Sequence, residues 1–232
     1  RVEAVLAVLY LVFNEGYSAA AGEALIRREL CAEAIRLGRV LCELMPDEPE
    51  ALGLLALMLL HDSRRPARMN AEGQLVTLEE QDRRLWDDAQ IAEGAELVQR
   101  ALRRRRAGPY QIQASIAALH CSAPSAEATD WAQIAALYEV LQRMQPTPVV
   151  ALNHAVAVAM ARTPEDGLEL LDDQNLSRAL DGYHLYHSSR ADLLRRAGRN
   201  DEAAEAYRRA ISLAENATER AYLERRLGEL GA

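Results

Sequence analysis

The segment that decides the fold is residues 197–211, Ala-Gly-Arg-Asn-Asp-Glu-Ala-Ala-Glu-Ala-Tyr-Arg-Arg-Ala-Ile. Gly198 opens a turn, and the helix-forming residues after it place the small Ala203, the large Tyr207 and the small Ala210 at spacings of four and three. Residues at these spacings share one face of an α-helix. Small side chains on either side of a large one let a second helix approach closely, so the segment predicts two helices packed across a tight turn.

The same segment resembles the second half of a tetratricopeptide repeat, a helix pair of about 34 residues. The frame recurs along the chain, because Tyr138 takes the aromatic place before Pro146, about two repeat lengths before Tyr207. The residues after Pro46 that take first-helix positions are Leu52, Leu55, Ala56 and Leu59. We therefore expect an all-α fold, a helical-repeat (tetratricopeptide-like) array of antiparallel helix pairs with one long irregular insertion.

Composition agrees with a helical fold. The chain has 232 residues, 50% of them apolar but only 5% aromatic, with a single Phe. Alanine and leucine take the place of the aromatic and β-branched residues that strands favour. The net charge is −8, and all 27 cations are arginines because the sequence has no lysine. This acidic balance argues against a domain whose main task is to bind phosphates of nucleic acids.

The N-terminal sequence and the cysteines indicate the cellular compartment. The apolar run 5–13 has no basic leader and is too short to span a bilayer, so we expect no targeting segment and no membrane contact. Cys31 and Cys42 would lie about three helical turns apart, beyond disulfide reach. We expect three free thiols in a reducing, cytoplasmic environment. Because the first residue is Arg1 rather than Met, we also expect that residues have been removed upstream.

Proline and glycine divide the chain into predicted helices. They cover about 2–13, 22–45, 50–61, 89–106, 110–120, 130–144, 149–162, 164–172, 183–197, 201–216 and 219–230. Asn14-Glu15-Gly16 is predicted to end the first helix by its turn chemistry. We assign residues 1–88 to N-terminal helices with a long loop and residues 89–232 to the repeats, as parts of one continuous domain.

The long insertion, residues 62–88, mixes arginines and acids with an aromatic residue. The arginines are Arg64, Arg65, Arg68, Arg83 and Arg84, and the acids are Asp62, Glu79, Glu80, Asp82, Asp87 and Asp88. A connection of this length inside a helical array is uncommon and is usually functional or mobile. One interpretation is a solvated loop laced with ion pairs. The other is a docking surface in which Arg side chains and Trp86 are the anchors.

No catalytic or metal-binding constellation is predicted. His184 and His187 lie near Asp181, but only two such ligands share a face, whereas zinc needs three or four. Ser188-Ser189 has neither a nucleophile-elbow motif nor an acid placed to orient His187 as a base, and the sequence has no glycine-rich phosphate loop. The run 103–106 is a candidate nucleic-acid patch, although cations at a helix C-terminus explain it as well. We expect neither an enzyme nor a cofactor or metal site.

Polar residues also interrupt the apolar helix predicted over 149–162. Asn153 and His154 lie where the first helices of repeat arrays line a concave groove, which can hold a peptide backbone or a carboxylate. The alternative is a polar pair satisfied internally between helices.

Six stretches together carry a family resemblance. They are LYLVFNEGY at 9–17, LMLLHDSRRPAR at 57–68, EQDR at 80–83 with WD at 86–87, GPYQIQA at 108–114, TDW at 129–131 with LY at 137–138, and PVVALN at 148–153. In this order, the chain resembles the C-terminal extension of a bacterial extracytoplasmic-function (ECF) RNA polymerase sigma factor. It is similar specifically to the group whose extension consists of tetratricopeptide-like helices.

The resemblance implies a regulatory or scaffolding module without catalytic activity. Its expected partners are the attached sigma regions, core RNA polymerase or both, and DNA would be bound only by sigma regions that lie upstream of this chain. The candidate partner-binding residues are Asn14, Glu15, Tyr17, His61, Asp62, Arg64, Arg65, Arg68, Gln81, Asp82, Arg83, Trp86, Tyr110, Gln113, Asn153 and His154. Two alternatives remain open: a plain scaffold, or a small-ligand pocket between the first helix and residues 62–88.

Overall fold

The computed structural model describes residues 2–17 and 24–231, except for the side chains of residues 24–27, and these residues form twelve α-helices and no β-strand. The helices are α1 (Val2–Tyr17), α2 (Ala24–Leu44), α3 (Pro49–Asp62), α4 (Asp88–Arg103), α5 (Pro109–Ser122), α6 (Trp131–Met144), α7 (Pro148–Ala161), α8 (Pro164–Leu171), α9 (Gln174–Ala179), α10 (His184–Arg196), α11 (Asn200–Leu213) and α12 (Ala217–Gly228). The predicted all-α array of packed helix pairs is confirmed. None of the described helices is both long and apolar enough to cross a membrane.

Side-chain caps and prolines fix where most of these helices begin. The Asp130 carboxylate accepts a hydrogen bond from the backbone N–H of Gln133 at 2.9 Å, and the Thr147 hydroxyl accepts one from Val150 at 3.3 Å. Helices α3, α5, α7 and α8 each carry a proline in the first turn, where its missing N–H costs nothing. These local signals are the reason that the predicted helix starts agree with the structure to within a few residues.

The chain forms two compact units, residues 1–129 and 130–232. In the first unit, helix α3 is the centre of the core, because every residue from Ala51 to Leu60 is buried and the helix packs against α1, α2, α4 and α5. Residues 89–129, which the repeat pattern groups with the C-terminal half, lie in this unit because α4 and α5 pack on α3.

The second unit contains the repeat that residues 197–211 predict. Helices α10 and α11 pack as an antiparallel pair across a turn in which Gly198 has φ +74°, a left-handed conformation that favours glycine. Tyr207 is 1% exposed, and Ala203 and Ala210 are fully buried on the same face of α11. The small–large–small pattern therefore marks the contact between the two helices, as the sequence predicts.

Three predicted boundaries need correction. Helix α1 does not end at Asn14-Glu15-Gly16 but runs on to Tyr17, because Arg65 and Arg68 donate hydrogen bonds to its last carbonyl groups. The predicted connector before α10 contains the short helix α9, which Asp173 caps. Helix α4 ends at Arg103, and Arg105 adopts φ 54°, so residues 104–106 form a turn rather than the end of a helix.

We expect Gly53→Ala to destabilise the first unit. A Cβ atom on Gly53 would lie 2.7 Å from the backbone nitrogen of Gln111, so α3 and α5 would have to move apart. Overpacking of this kind costs about 1–3 kcal/mol, which chemical denaturation followed by circular dichroism measures. Gly182→Ala is the matched control, because a Cβ atom there meets nothing within 4 Å. Equal stability of the two variants would show that α3 and α5 tolerate the separation.

Candidate functional site

Residues 62–88 form a folded segment rather than a loose loop. A 3-10 turn covers Arg65–Ala67, a second covers Arg83–Leu85, and one antiparallel bridge joins Met69 to Leu75. The two ends of the segment meet where the backbone N–H of Asp87 donates to the Ser63 carbonyl at 2.9 Å. The segment is therefore closed at its base.

Arg64, Arg65 and Arg68, which we call the arginine cluster, lie at the C-terminal end of α1. Arg68 Nη1 donates to the Tyr17 carbonyl at 2.6 Å, and the guanidinium carbon lies 3.9 Å from the centre of the Tyr17 ring. Arg65 donates from Nε to Asp62 Oδ1 at 2.7 Å and from Nη1 to the Gly16 carbonyl at 3.4 Å. A helix C-terminus favours cations, and an aromatic face adds a cation–π contact.

Arg64 is the most deeply buried member of the cluster, with 7% of its surface exposed. Its Nη2 lies 2.8 Å from His61 Nδ1, and the His61 ring packs edge-on against Tyr17 with 5.5 Å between the ring centres. Since an arginine only donates, Nδ1 accepts, and the neutral ring carries its proton on Nε2. Burial lowers the pKa of His61 well below its ordinary value, and the charges of Arg64 and Arg68 lower it further.

Around the arginine cluster, positive charge exceeds negative charge. The carboxylate that pairs with the cluster is Asp62, whose Oδ1 binds Arg65 and whose Oδ2 accepts from Gln90 Nε2 at 3.2 Å. Among the described residues, no carboxylate forms an ion pair with Arg64 or Arg68. A chain of net charge −8 therefore holds two largely buried guanidinium groups without a paired carboxylate.

The second half of the segment is held by Trp86, whose ring is 6% exposed. Its Nε1 donates to Gln81 Oε1 at 3.2 Å, and the Arg83 guanidinium lies 4.6 Å from the ring centre. Arg83 Nε also donates to the Ala123 carbonyl at 3.0 Å, which ties the segment to the end of α5. The prediction of Trp86 as a surface anchor needs correction, because the ring is enclosed and supports the segment from within.

The remaining candidate residues do not join the arginine cluster in one site. Asn14 and Glu15 are exposed on α1, and Asp82 pairs with the neighbouring exposed Arg84 at 2.7 Å. The proposed pocket residues Tyr17, His61 and Asp62 do lie together.

Two further candidates lie on α5 and two on α7. Tyr110 packs edge-on against Tyr10, with 5.5 Å between the ring centres, and Gln113 donates to the Pro109 carbonyl of its own helix at 3.3 Å. Asn153 is exposed and His154 half-buried on α7, in the second unit. They are candidates for a separate surface.

The two histidines that were considered and rejected as metal ligands from the sequence are engaged in local contacts. His187 Nε2 lies 2.7 Å from the Asp181 carbonyl, and His184 Nε2 lies 3.2 Å from a carboxylate oxygen of Glu219. No group of three His, Cys, Asp or Glu residues in the described part of the chain is placed to hold a metal ion.

The basic run 103–106 is partly tied to the turn between α2 and α3. Arg104 donates to the Pro46 carbonyl at 3.2 Å, and Arg106 donates to that of Asp47 at 2.9 Å. These two arginines therefore hold a turn of the first unit.

Two residues beside the arginine cluster were not among the candidate site residues predicted from the sequence. Cys31 is buried and free, donates to the Phe13 carbonyl at 3.4 Å, and has a pKa that burial raises although nearby Arg65 lowers it. His120 has a pKa lowered to about 4, chiefly by burial and then by the charges of Arg64 and Arg83. Both residues come from helices remote in sequence, so only the folded chain brings them to the arginines.

A protein family and a curated protein match this chain. A family of unknown function (DUF6596) matches residues 1–102, which include the arginine cluster and the whole of the segment 62–88. An uncharacterized protein of Rhizobium meliloti (strain 1021) is 51% identical over all 232 residues, which amount to 54% of its length. The chain thus spans about half the length of the curated relative that it matches.

Proposed function

We propose that this chain is a non-catalytic protein-interaction module of an ECF RNA polymerase sigma factor. It modulates transcription initiation through contacts with sigma regions or with core RNA polymerase. The resemblance of the six sequence stretches to this family supports the assignment to an ECF sigma factor. One structural observation carries the interaction role: helix α1 has an apolar face that the described residues of the first unit leave exposed.

That face is formed by Val5, Val8 and Leu11, which are 48%, 59% and 67% exposed at intervals of three residues. Helix α1 is apolar nearly all round, and a helix of that composition is ordinarily buried on all sides. Single exposed apolar residues are normal on a protein surface, whereas a contiguous apolar patch is typical of a protein contact.

The neighbouring helix extends the apolar face. Leu37, Val40 and Leu44 of α2 are also exposed, and α2 packs along α1. Arg39 reaches Glu93 of α4 at 2.7 Å, which places α4 on one side of α2. At 100° per residue, Leu37 and Leu44 lie on the side of α2 away from Arg39. Exposed apolar residues therefore lie on both α1 and α2, which supports a contact with another protein.

The length of the Rhizobium relative is compatible with such an arrangement. If 232 residues are 54% of it, the relative has about 430 residues, and about 200 lie outside the match. Because domains commonly have 50–200 residues, this length has room for two small domains of the kind that bind promoter DNA and polymerase.

Binding measurements test the proposal. The chain is immobilised and exposed separately to core RNA polymerase and to the part of the Rhizobium relative outside the match. We expect one of the two to bind, and we expect Leu11→Glu to weaken that binding roughly tenfold or more, because a charge would be buried in the contact. Leu185→Glu, at a leucine of α10 that is also exposed, is the matched control.

Circular dichroism of both variants is the control that shows whether the helices are intact. Binding of neither partner, or equal loss with Leu11→Glu and Leu185→Glu, would count against a contact at α1. In promoter-dependent transcription with the full-length relative, we expect removal of the matched region to change the yield. Unchanged transcription would contradict a regulatory role.

A further inference from the structure

We propose that the arginine cluster, with Tyr17 and His61 beside it, is a binding site for a small oxyanion of charge about −2. Ligands of this class carry carboxylate or phosphate groups, whose oxygens accept the fixed pairs of N–H donors that a guanidinium presents. The inference goes beyond the proposed function and does not depend on it, because the cluster is built from interior contacts of the first unit and not from the apolar face of α1.

The charge of the cluster is the first step. A buried guanidinium without a counter-charge costs several kcal/mol, so native proteins ordinarily pair it with a carboxylate. Asp62 binds Arg65 through one oxygen and Gln90 through the other, and among the described contacts it pairs with neither Arg64 nor Arg68. His61, which lies beside these arginines, adds no negative charge, because its ring is neutral and accepts a hydrogen bond from Arg64.

The thiol next to the cluster does not supply the missing charge either. Cys31 lies near Arg65 and donates its proton to the Phe13 carbonyl at 3.4 Å, which is the bond of a protonated thiol. Because burial raises its pKa, the thiol stays neutral at physiological pH. Among the described residues, two positive charges of the cluster therefore have no counter-charge, and a dianion would neutralise them.

The donors of the cluster are the second step. Arg64 Nε and Arg65 Nη2 are buried and have no hydrogen-bonded oxygen or nitrogen among the described residues, although the Cys31 thiol lies within hydrogen-bonding range of the Arg65 side chain. An unsatisfied buried donor destabilises the folded state, and two of them on adjacent residues are uncommon in a packed interior. Of the side-chain nitrogens of Arg68, Nη1 is the one that donates to a described acceptor, the Tyr17 carbonyl. All three arginines thus keep donors for a ligand.

The approach to the cluster is the third step. The Arg65 side chain is 22% exposed, Pro66 is exposed and Arg68 is half-buried, so the 3-10 turn 65–67 lies at the protein surface. An anion arriving there meets Arg65 and Arg68 first and Arg64 beneath them. Small adjustments of these side chains bring their unsatisfied donors to the ligand, and Tyr17 and Asp62 keep the guanidinium groups oriented.

Thermal unfolding with defined anions tests the site. The probes are sodium phosphate and sodium succinate, compared with sodium chloride at equal ionic strength. We expect a saturable rise in the melting temperature with at least one of the two, and at least a tenfold weaker apparent affinity in Arg68→Gln. Arg84→Gln is the matched control, because Arg84 is 89% exposed and pairs with Asp82 outside the cluster.

A second measurement uses the unmodified protein and does not depend on the folding of a variant. In an NMR titration with the same anions, we expect the amide signals of residues 16, 17, 64, 65, 67 and 68 to shift with saturation, while that of Gly182 stays in place. Saturation with phosphate alone, with succinate alone or with both supports the site and identifies the preferred group. Shifts no larger than those with chloride, or shifts without saturation, would overturn the proposal.

Failure of this proposal is distinguishable from failure of the proposed function. Anion binding is read out on the isolated chain at the arginine cluster, whereas partner binding is read out at Leu11 on the exposed face of α1. A chain that binds polymerase but no anion keeps the first proposal and removes the second. A chain that binds anions but neither protein does the reverse.

Discussion

Replacing Tyr207 by alanine is expected to lower the free energy of unfolding of the second unit by about 3–5 kcal/mol. The ring is 1% exposed and belongs to the buried core around α10 and α11, together with Ala203, Ala210 and Leu194. Truncation to a methyl group removes the apolar contacts and leaves a cavity that the neighbouring alanines are too short to fill. Urea unfolding followed by circular dichroism measures the change.

Tyr207→Phe is the matched control, because it removes the hydroxyl and keeps the ring. We expect it to cost less than half as much as Tyr207→Ala, since the ring supplies most of the buried area. The first unit should unfold as in the unmodified chain, because its core cluster contains none of these residues. A loss below about 1 kcal/mol for Tyr207→Ala would show that the helices close around the gap, contrary to tight repeat packing.

The second unit was predictable because its determining contacts are local in sequence. Ala203, Tyr207 and Ala210 lie on one helix, and Gly198 begins the turn before it, so the spacing of a 15-residue segment contains the packing of the pair. Caps such as Asp130 act over three residues. Signals of this range survive in a single sequence, which is why the helix starts and the α10–α11 pair agree with the prediction from sequence.

The arginine cluster was predictable only in part. Residues 62–88 were identified as unusual by length and composition, but the partners of Arg68 and Arg65 on α1 lie 51 and 49 positions away. No spacing rule connects residues so distant. The same contacts explain why α1 runs past its predicted end, and why Trp86, which looks like a surface anchor by residue type, is enclosed instead.

Acid is expected to destabilise the first unit well before its carboxylates are protonated. In the unfolded chain, His120 titrates near pH 6.5, whereas in the folded chain burial, and then the charges of Arg64 and Arg83, lower its pKa to about 4. Between these values, the unfolded state binds more protons than the folded state, so stability falls as the pH falls. A shift of this size is worth about 3 kcal/mol between pH 7 and pH 4.

His61 acts in the same direction, because its folded-state pKa is also lowered well below 6.5 by burial and by Arg64 and Arg68. The contribution of Asp192 in the second unit falls in another pH range. Burial raises its pKa, but hydrogen bonds from Arg196 and Arg195 together outweigh this and lower it below 3.8, so its contribution is lost only in stronger acid. In the first unit, the loss of stability from pH 6.5 downward therefore reports chiefly on His61 and His120.

Urea unfolding of the unmodified chain and of His120→Gln at pH 7, 6, 5 and 4.5 measures this effect. We expect the stability of His120→Gln to fall less steeply over the range, because the variant lacks one of the two titrating groups, while His61 keeps part of the slope. In His154→Gln, the matched control on α7, the slope should change less, because His154 is only half-buried and has no cluster of guanidinium groups around it. Equal slopes for the unmodified chain and His120→Gln would mean that the ring near Arg64 accepts a proton in the folded state. That result would require a negative charge beside the arginine cluster to compensate for the protonated ring.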